Sequence, residues 1–393
     1  MSERDDSQRE RAVPNGRSAA AGPGPPPAGR TGWRRVARRV VPPLISLAIV
    51  ALVFWYFLPQ FTSLSEVGRS VRSMTWLEVT TLGLLAVWNL ATYWFVMVAT
   101  MPGLTYPQAA VVTESTTAVS NTVPAGAAVG IAMGYAMFGS WGFSRSRVSV
   151  SLLVSGVWNN FAKLAMPVLA LALLALQGSP GGGRLVAGLV GLAGLVGAVV
   201  LFGMLLHSHQ AATRLGLAAG RAASALLRLL RRPPARGWEK ATTRFRTRTV
   251  RLLRARWHWI TLATVVSHVS LYLLLLLALR HVGVSNAELG WAEVLAVFAF
   301  ARLLTAIPFT PGGLGVVEFA LITGLAGAGG PRAAVAAAVL IFRALTYVLP
   351  IPLGLATYLF WRRNRSWRRP PGGAPRTDLI ADPAEPAAAA AGA

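Results

Sequence analysis

Cysteine is absent from the 393 residues, which excludes disulfides and thiolate-held metals. Aspartate is nearly as scarce where it would matter. All four copies, Asp5, Asp6, Asp378 and Asp382, lie in the polar ends of the chain. The apolar stretch between them therefore lacks the aspartate pairs that metal-assisted chemistry uses. Charge as a whole is rare, 13% of residues, and acidic charge rarer still, with 14 carboxylates against 38 Lys and Arg. There is no Gly-Lys-Ser/Thr phosphate loop, so ATP has no evident seat. We expect no metal, no cofactor and no catalytic group.

What is there is hydrophobic. Apolar residues make up 54% of the chain and the mean hydropathy is +0.52, values of a multi-pass membrane protein rather than a soluble domain. The net charge of +24 sits beside the apolar runs. It therefore points to topology signals and anionic lipid headgroups rather than nucleic acid.

Runs of spanning length occur at Val40–Phe57, Trp76–Thr100, Val148–Leu176, Leu185–Leu206, His258–Leu279 and Ala333–Phe360. Trp55, Trp76, Trp257, Trp259 and Trp361 fall near span ends, as interfacial aromatics do. Two further apolar stretches, Ala109–Gly139 and Trp291–Gly329, are interrupted. The first contains Pro124-Ala125-Gly126 and the second Pro308-Phe309-Thr310-Pro311-Gly312-Gly313. Proline removes a helix donor and glycine loosens the backbone, so such breaks survive in lipid only when buried in protein or lining a wet cavity.

Arg30, Arg34, Arg35, Arg38 and Arg39 precede the first run, the segment 207–257 is dense in arginine, and Arg362, Arg363, Arg365, Arg368 and Arg369 follow the last run. By the positive-inside rule all three belong in the cytoplasm. If Ala109–Gly139 crossed completely, the 207–257 loop would fall outside. A hairpin turning back at Pro124 restores the parity. The second break is expected to be a hairpin by likeness to the first, with two short spans as the alternative. Pro124 aligns with Pro311 and, after a short gap, Pro167 with Pro350, which suggests an inverted repeat.

The expected fold is an all-α polytopic membrane protein with about six full transmembrane helices and two broken re-entrant hairpins of opposite orientation. Residues 1–39 and 362–393 would be disordered tails flanking a 40–361 transmembrane domain, with both termini cytoplasmic and the plasma membrane as the location.

Charged side chains inside spans are costly and mark function, pairing or both. Glu114, Lys163, Arg302, Glu318 and Arg343 are such residues. One reading pairs Glu114 with Lys163 or Arg302, and Glu318 with Arg343, purely to hold helices together. The other has the three cations, with Asn121 and Asn160, line a cavity for an anionic headgroup. Helices starting after Pro124-Ala125-Gly126 and Pro311-Gly312-Gly313 would add backbone donors. Pro124, Gly126, Pro308, Pro311, Gly312 and Gly313 would form the hinges. Gly188, Gly191, Gly194 and Gly197 should make a close helix contact, and His268 should be a hydrogen-bonded packing residue.

Asn121–Gly130 (NTVPAGAAVG), Arg302–Glu318 (RLLTAIPFTPGGLGVVE) and Arg343–Pro350 (RALTYVLP) resemble the membrane domain of the lysyl-phosphatidylglycerol synthase/flippase family over roughly residues 40–362. The resemblance implies a lipid flippase that moves aminoacylated phosphatidylglycerol between leaflets. In that family a separate soluble domain makes the lipid. Only residues 362–393 follow the last run here, so lysyl transfer is not implied and a separate lipid-modifying enzyme is the expected partner. The alternatives are an accessory or scaffold protein of lipid or envelope synthesis, or a membrane-embedded lipid-linked glycosyltransferase.

Overall fold

A computed structural model describes residues 69, 72–123, 126–178, 182–207, 221, 238–305 and 313–369. The chain divides into two units, Met1–Val41 and Pro42–Ala393, and every described residue belongs to the second. The run Val40–Phe57, the residues Pro124, Pro308, Pro311 and Gly312, and most of both expected tails lie outside the described residues.

The described residues form helices α1 (Trp76–Thr100), α2 (Tyr106–Thr122), α3 (Gly126–Ser140), α4 (Arg145–Leu176), α5 (Gly182–His207), α6 (Trp238–His281), α7 (Trp291–Leu304), α8 (Val316–Gly327), α9 (Arg332–Arg343) and α10 (Pro350–Arg363). A π turn, Ala344–Val348, joins α9 to α10. No strand occurs among the described residues.

Local sequence sets the helix starts. Thr75 and Glu78 form a reciprocal capping box at α1, with Glu78 Oε2 accepting from the Thr75 amide at 2.7 Å. Thr105 and Gln108 do the same at α2, and Pro107 occupies its first turn, where a missing donor costs nothing. Ser144 caps α4.

Among the described residues, four helices are long and apolar enough to cross a membrane: Trp76–Thr100, Arg145–Leu176, Phe245–His281 and Arg332–Arg363. All four were read from sequence as spans. The expected span Leu185–Leu206 falls in α5, whose apolar stretch Gly188–Met204 is shorter.

Helices α1 and α6 run antiparallel. Thr81 meets His281, Asn89 Nδ2 donates to Ser270 Oγ at 3.1 Å, and Arg256 reaches the Val98 carbonyl. One end of this pair is thus rich in arginine, and the other carries Glu78 and His281. Each interrupted stretch is a pair of short antiparallel helices. Thr116 and Ser120 of α2 face Gly134, Gly130 and Gly126 of α3, and Val297 of α7 faces Gly324 of α8. The α2–α3 pair starts beside the C-terminus of α1, at the arginine-rich end. The α7–α8 pair starts after α6, at the opposite end.

The main apolar core joins Leu271, Leu274, Leu275 and Leu279 of α6 to Ala292, Phe298 and Ala299 of α7, Leu321 and Leu325 of α8, and Val335 and Val339 of α9. A second cluster of Met101, Met137, Phe138, Trp141 and Phe143 closes the arginine-rich end.

The glycine series on α5 behaves only partly as expected. A Cβ at Gly188 or Gly191 would meet Leu171 or Val168 of α4, whereas Gly194 and Gly197 face open space. The three-residue spacing drifts around a helix of 3.6 residues per turn, so the series cannot stay on one face.

Candidate functional site

The π turn lies where the two broken pairs meet. At its start, Arg343 Nε donates to Glu318 Oε1 at 2.6 Å, with both side chains about 10% exposed. The Arg343 guanidinium also lies 4.7 Å over the Tyr347 ring. Tyr347 Oη donates to the Asn121 carbonyl, and Asn121 Nδ2 donates to the Tyr347 carbonyl at 3.1 Å. Asn121 is in the last turn of α2 and Glu318 in the first turn of α8. One five-residue segment therefore ties the inner ends of both broken pairs, through a charged contact on one side and a reciprocal hydrogen-bonded contact on the other.

Why the helix bulges there follows from its neighbours. Leu349 N bonds back five residues to the Ala344 carbonyl, and Pro350 next in line has no amide to give. Four residues on, Gly354 lies against the Glu114 carbonyl and Ala118 of α2, where a Cβ would clash. Ser115 and Thr357 hydroxyls meet 3.0 Å apart on the same seam. The wider π turn lets α10 follow α2 while α9 stays on α6.

Lys163 of α4, Arg302 of α7 and His268 of α6 lie close enough to influence one another's charge, and Arg302 is within the same reach of Arg343 and of Tyr93 on α1. Lys163 and Arg343 are buried, at 7% and 8% exposure. Arg302 Nε is sealed from solvent without a hydrogen-bond acceptor. His268 Nδ1 meets the Thr264 carbonyl at 2.9 Å, as expected of a packing residue, but its Nε2 is buried without a partner.

Glu114 does not pair with Lys163 or Arg302. Its Oε1 accepts from the Trp94 indole at 2.8 Å and its Oε2 has no partner. The reason is placement: Glu114 faces α1 and α10, whereas Lys163 projects among α4, α6 and α7. The Glu318–Arg343 pairing expected from sequence is made.

The hydroxyls of α2 contribute less than their number suggests, because Thr116 and Thr122 bond back to carbonyls of their own helix. Asn160 is exposed and is not brought to the cation cluster. Gly126 starts α3 as expected. Helix α8 starts at Val316, beyond Gly313, and its end is already occupied: Glu318 Oε2 accepts from the Gly315 amide at 2.8 Å. An acidic side chain in the first turn takes up one of the amides that the sequence reading offers to a ligand.

An apolar cavity of about 470 Å³ lies between α4, α7 and α8. Leu171 and Leu174 of α4, Phe300, Ala301, Leu303 and Leu304 of α7, and Ala320, Gly324 and Ala328 at α8 form its walls, with Glu293 at one end. Ala301 and Leu303 flank Arg302 in sequence, so the cavity runs along the element that carries this cation.

Sequence reasoning missed Tyr347, Trp94 and Tyr93. Tyr347 lies within the Arg343–Pro350 segment, where an aromatic in an apolar run reads as packing.

The sequence from residue 44 to residue 354 matches the family model described as the lysylphosphatidylglycerol synthase TM region. No curated protein matches the chain.

Proposed function

The chain belongs to the family of the lysylphosphatidylglycerol synthase transmembrane region, and on that premise we propose that it is a flippase carrying an anionic or aminoacylated phospholipid between leaflets. The observation that carries this reading is the uneven charge at the junction. Lys163, Arg302 and Arg343 bring three positive charges, against Glu318 and the more distant Glu114. Buried charge of one sign is expensive in lipid unless a counter-charge visits it.

A lipid phosphate is such a visitor. Lys163 and Arg302 would hold its oxygens, Arg supplying a planar fork and Lys a point charge. An acyl chain would lie in the apolar cavity beside Arg302, so that the headgroup crosses through protein while its tail stays in hydrocarbon. Arg343 is held by Glu318 in the resting state and would exchange that partner for phosphate. Both broken pairs would be re-entrant, entering from opposite faces. The arginine-rich end, with both termini, would lie in the cytoplasm of a cell-membrane protein. The lipid would come from a separate lipid-modifying enzyme, and the reading needs no catalytic group or cofactor in this chain.

The test is a leaflet assay on reconstituted vesicles with labelled phosphatidylglycerol. Lys163→Ala and Arg302→Ala should each slow translocation by about tenfold or more, the loss expected when a charged hydrogen bond is removed. Arg343→Ala strands Glu318, so it is assayed beside Arg343→Ala/Glu318→Gln. Wild-type translocation in the Lys163 and Arg302 variants sinks the site. Binding of lipid without translocation by the wild-type chain would favour an accessory role.

A further inference from the structure

The apolar cavity between α4, α7 and α8 has one ionisable residue in its walls, Glu293. Glu293 and Ala328 also line a second space, a polar recess of about 480 Å³. The recess is walled further by Gln177 at the end of α4, Asn286 and Glu288 of the α6–α7 connection, and Trp291 at the start of α7. The two spaces therefore meet at Glu293 and Ala328. From Glu293 the apolar part follows α7 to Leu304, eleven residues or about 16 Å of helix. Each space is of the size that holds a small ligand.

Part of this arrangement is structural. Glu293 lies in the first turn of α7, where an acidic side chain favours the helix dipole. That role does not need the carboxylate at the joint between the two spaces. Glu293 is half-buried and makes no hydrogen bond among the described residues. Its carboxylate folds back over Gly290, into space that a Cβ there would fill. A charge held half out of water beside an apolar cavity, with no partner, is a costly arrangement that a visiting cation relieves.

The surroundings select the sign of the visitor. Glu288 Oε2 accepts from the Ser285 amide and hydroxyl, both at 2.8 Å, and these bonds hold its carboxyl below the usual range, so it stays ionised. Helices α4 and α8 both end at the recess, at Gln177 and Ala328, and bring the negative ends of their dipoles to it. Arg280 is a cation of the same connection, but its guanidinium donates to the Val284, Ser285 and Leu289 carbonyls and to Asn286 Oδ1. It is not among the walls. Trp291 is 40% exposed, as an aromatic at the lipid–water boundary is, and offers a ring face to an ammonium group.

We propose that the recess and the cavity form one binding site for a cationic single-chain amphiphile, an alkylammonium. The ammonium head sits at Glu293, with Glu288 and the Trp291 ring beside it. The hydrocarbon tail lies along α7 between Leu171 and Leu174 of α4 and Ala320 and Gly324 of α8. Two carboxylates turn away a phosphate, so this head chemistry is opposite to that of the central cluster. The tail occupies the cavity that the proposed function gives to an acyl chain, and on that reading the amphiphile competes with transport. Binding itself does not depend on that reading.

The chain has no cysteine, so one can be placed as a reporter. Ala328 is exposed on the wall that the two spaces share. The full-length Ala328→Cys variant, in neutral maltoside detergent, is alkylated with a maleimide while dodecyltrimethylammonium is titrated in. The expected result is saturable protection of the cysteine. Tetramethylammonium, the head without the tail, and dodecanoate, the tail with the opposite charge, should not protect over the same range. Glu293→Gln should weaken protection about tenfold, the loss of one charged contact, and Glu288→Gln by a smaller factor. Lys163→Ala should leave the titration unchanged, which separates this site from the central one and from transport. Matching protection by dihexanoyl phosphatidylethanolamine, lost in Glu293→Gln, keeps the ammonium site and assigns it to a lipid headgroup. Equal protection by dodecanoate or tetramethylammonium, or undiminished protection in Glu293→Gln, overturns the proposal.

Discussion

Two helical units share a plan and start from opposite ends of the helices: a broken pair followed by a long helix. The long helix is Arg145–Leu176 in the first and Arg332–Arg363 in the second, 32 residues each. They differ in how the break is closed. In the first unit three residues separate α2 from α3, and the chain doubles back against its own backbone; a Cβ on Gly126 would lie 2.6 Å from the Ser120 and Val119 carbonyls. In the second unit eleven residues separate α7 from α8, and the inner end of α8 is held by the Glu318–Arg343 ion pair. Proline is treated differently too. Pro167 is absorbed inside α4, whereas Pro350 follows a π turn. A break closed by backbone contact has one arrangement. A break closed by an ion pair has another as soon as a competing anion arrives. Under the proposed function the second unit is therefore the one that responds.

The largest effect should come from that ion pair. Glu318→Ala or Arg343→Ala alone leaves a buried charge without its partner and should cost about 3–5 kcal/mol, read as lowered thermal stability in detergent. The double variant should recover a large part of the loss. Two additive single losses would mean that the pair does not close the second break.

Next in size is Gly126→Ala, which presses a methyl group against unyielding backbone and should cost about 1–3 kcal/mol. A neutral result would show that the first break has slack and remove the contrast between the units. Smaller again is Tyr347→Phe. It deletes the hydroxyl donor to Asn121 and should cost about 1 kcal/mol, with protease sensitivity rising near residue 121 before it rises near residue 318. The smallest change is expected for Gly324→Ala in the second unit. The added methyl meets only the Val297 side chain, at 2.5 Å, and that β-branched side chain must leave its preferred helical rotamer, at a cost of about 0.5–1 kcal/mol. A loss matching that of Gly126→Ala would make the two units equally stiff.

Features set by local chemistry were legible in the sequence. The breaks were visible because proline and glycine interrupt apolar runs, and the membrane charges because each is conspicuous there. Glu318 and Arg343 could be paired on paper as opposite charges in neighbouring apolar stretches. What depends on neighbours across helices was not legible. Glu114 has the Trp94 indole as its partner, twenty residues earlier on another helix, and no spacing rule announces that contact. Tyr347 has an ordinary place in an apolar run, and its role comes from what α2 places opposite it. The start of α8 three residues beyond Gly313 follows from Glu318 reaching back to Gly315, a contact made by the folded turn.

The π turn has a further consequence, one of phase. A π turn carries one residue more than the α-helical turn it replaces, so α9 and α10 are out of register by one position, about 100° of rotation and 1.5 Å of rise. Deleting one residue among Ala344–Val348 would let the segment rewind as continuous α-helix. Everything from Pro350 onward would turn by that angle, and Gly354 would leave the Glu114–Ala118 face for a bulkier neighbour. The extra residue acts as a gear tooth: it sets which face of α10 meets α2 without breaking the helix.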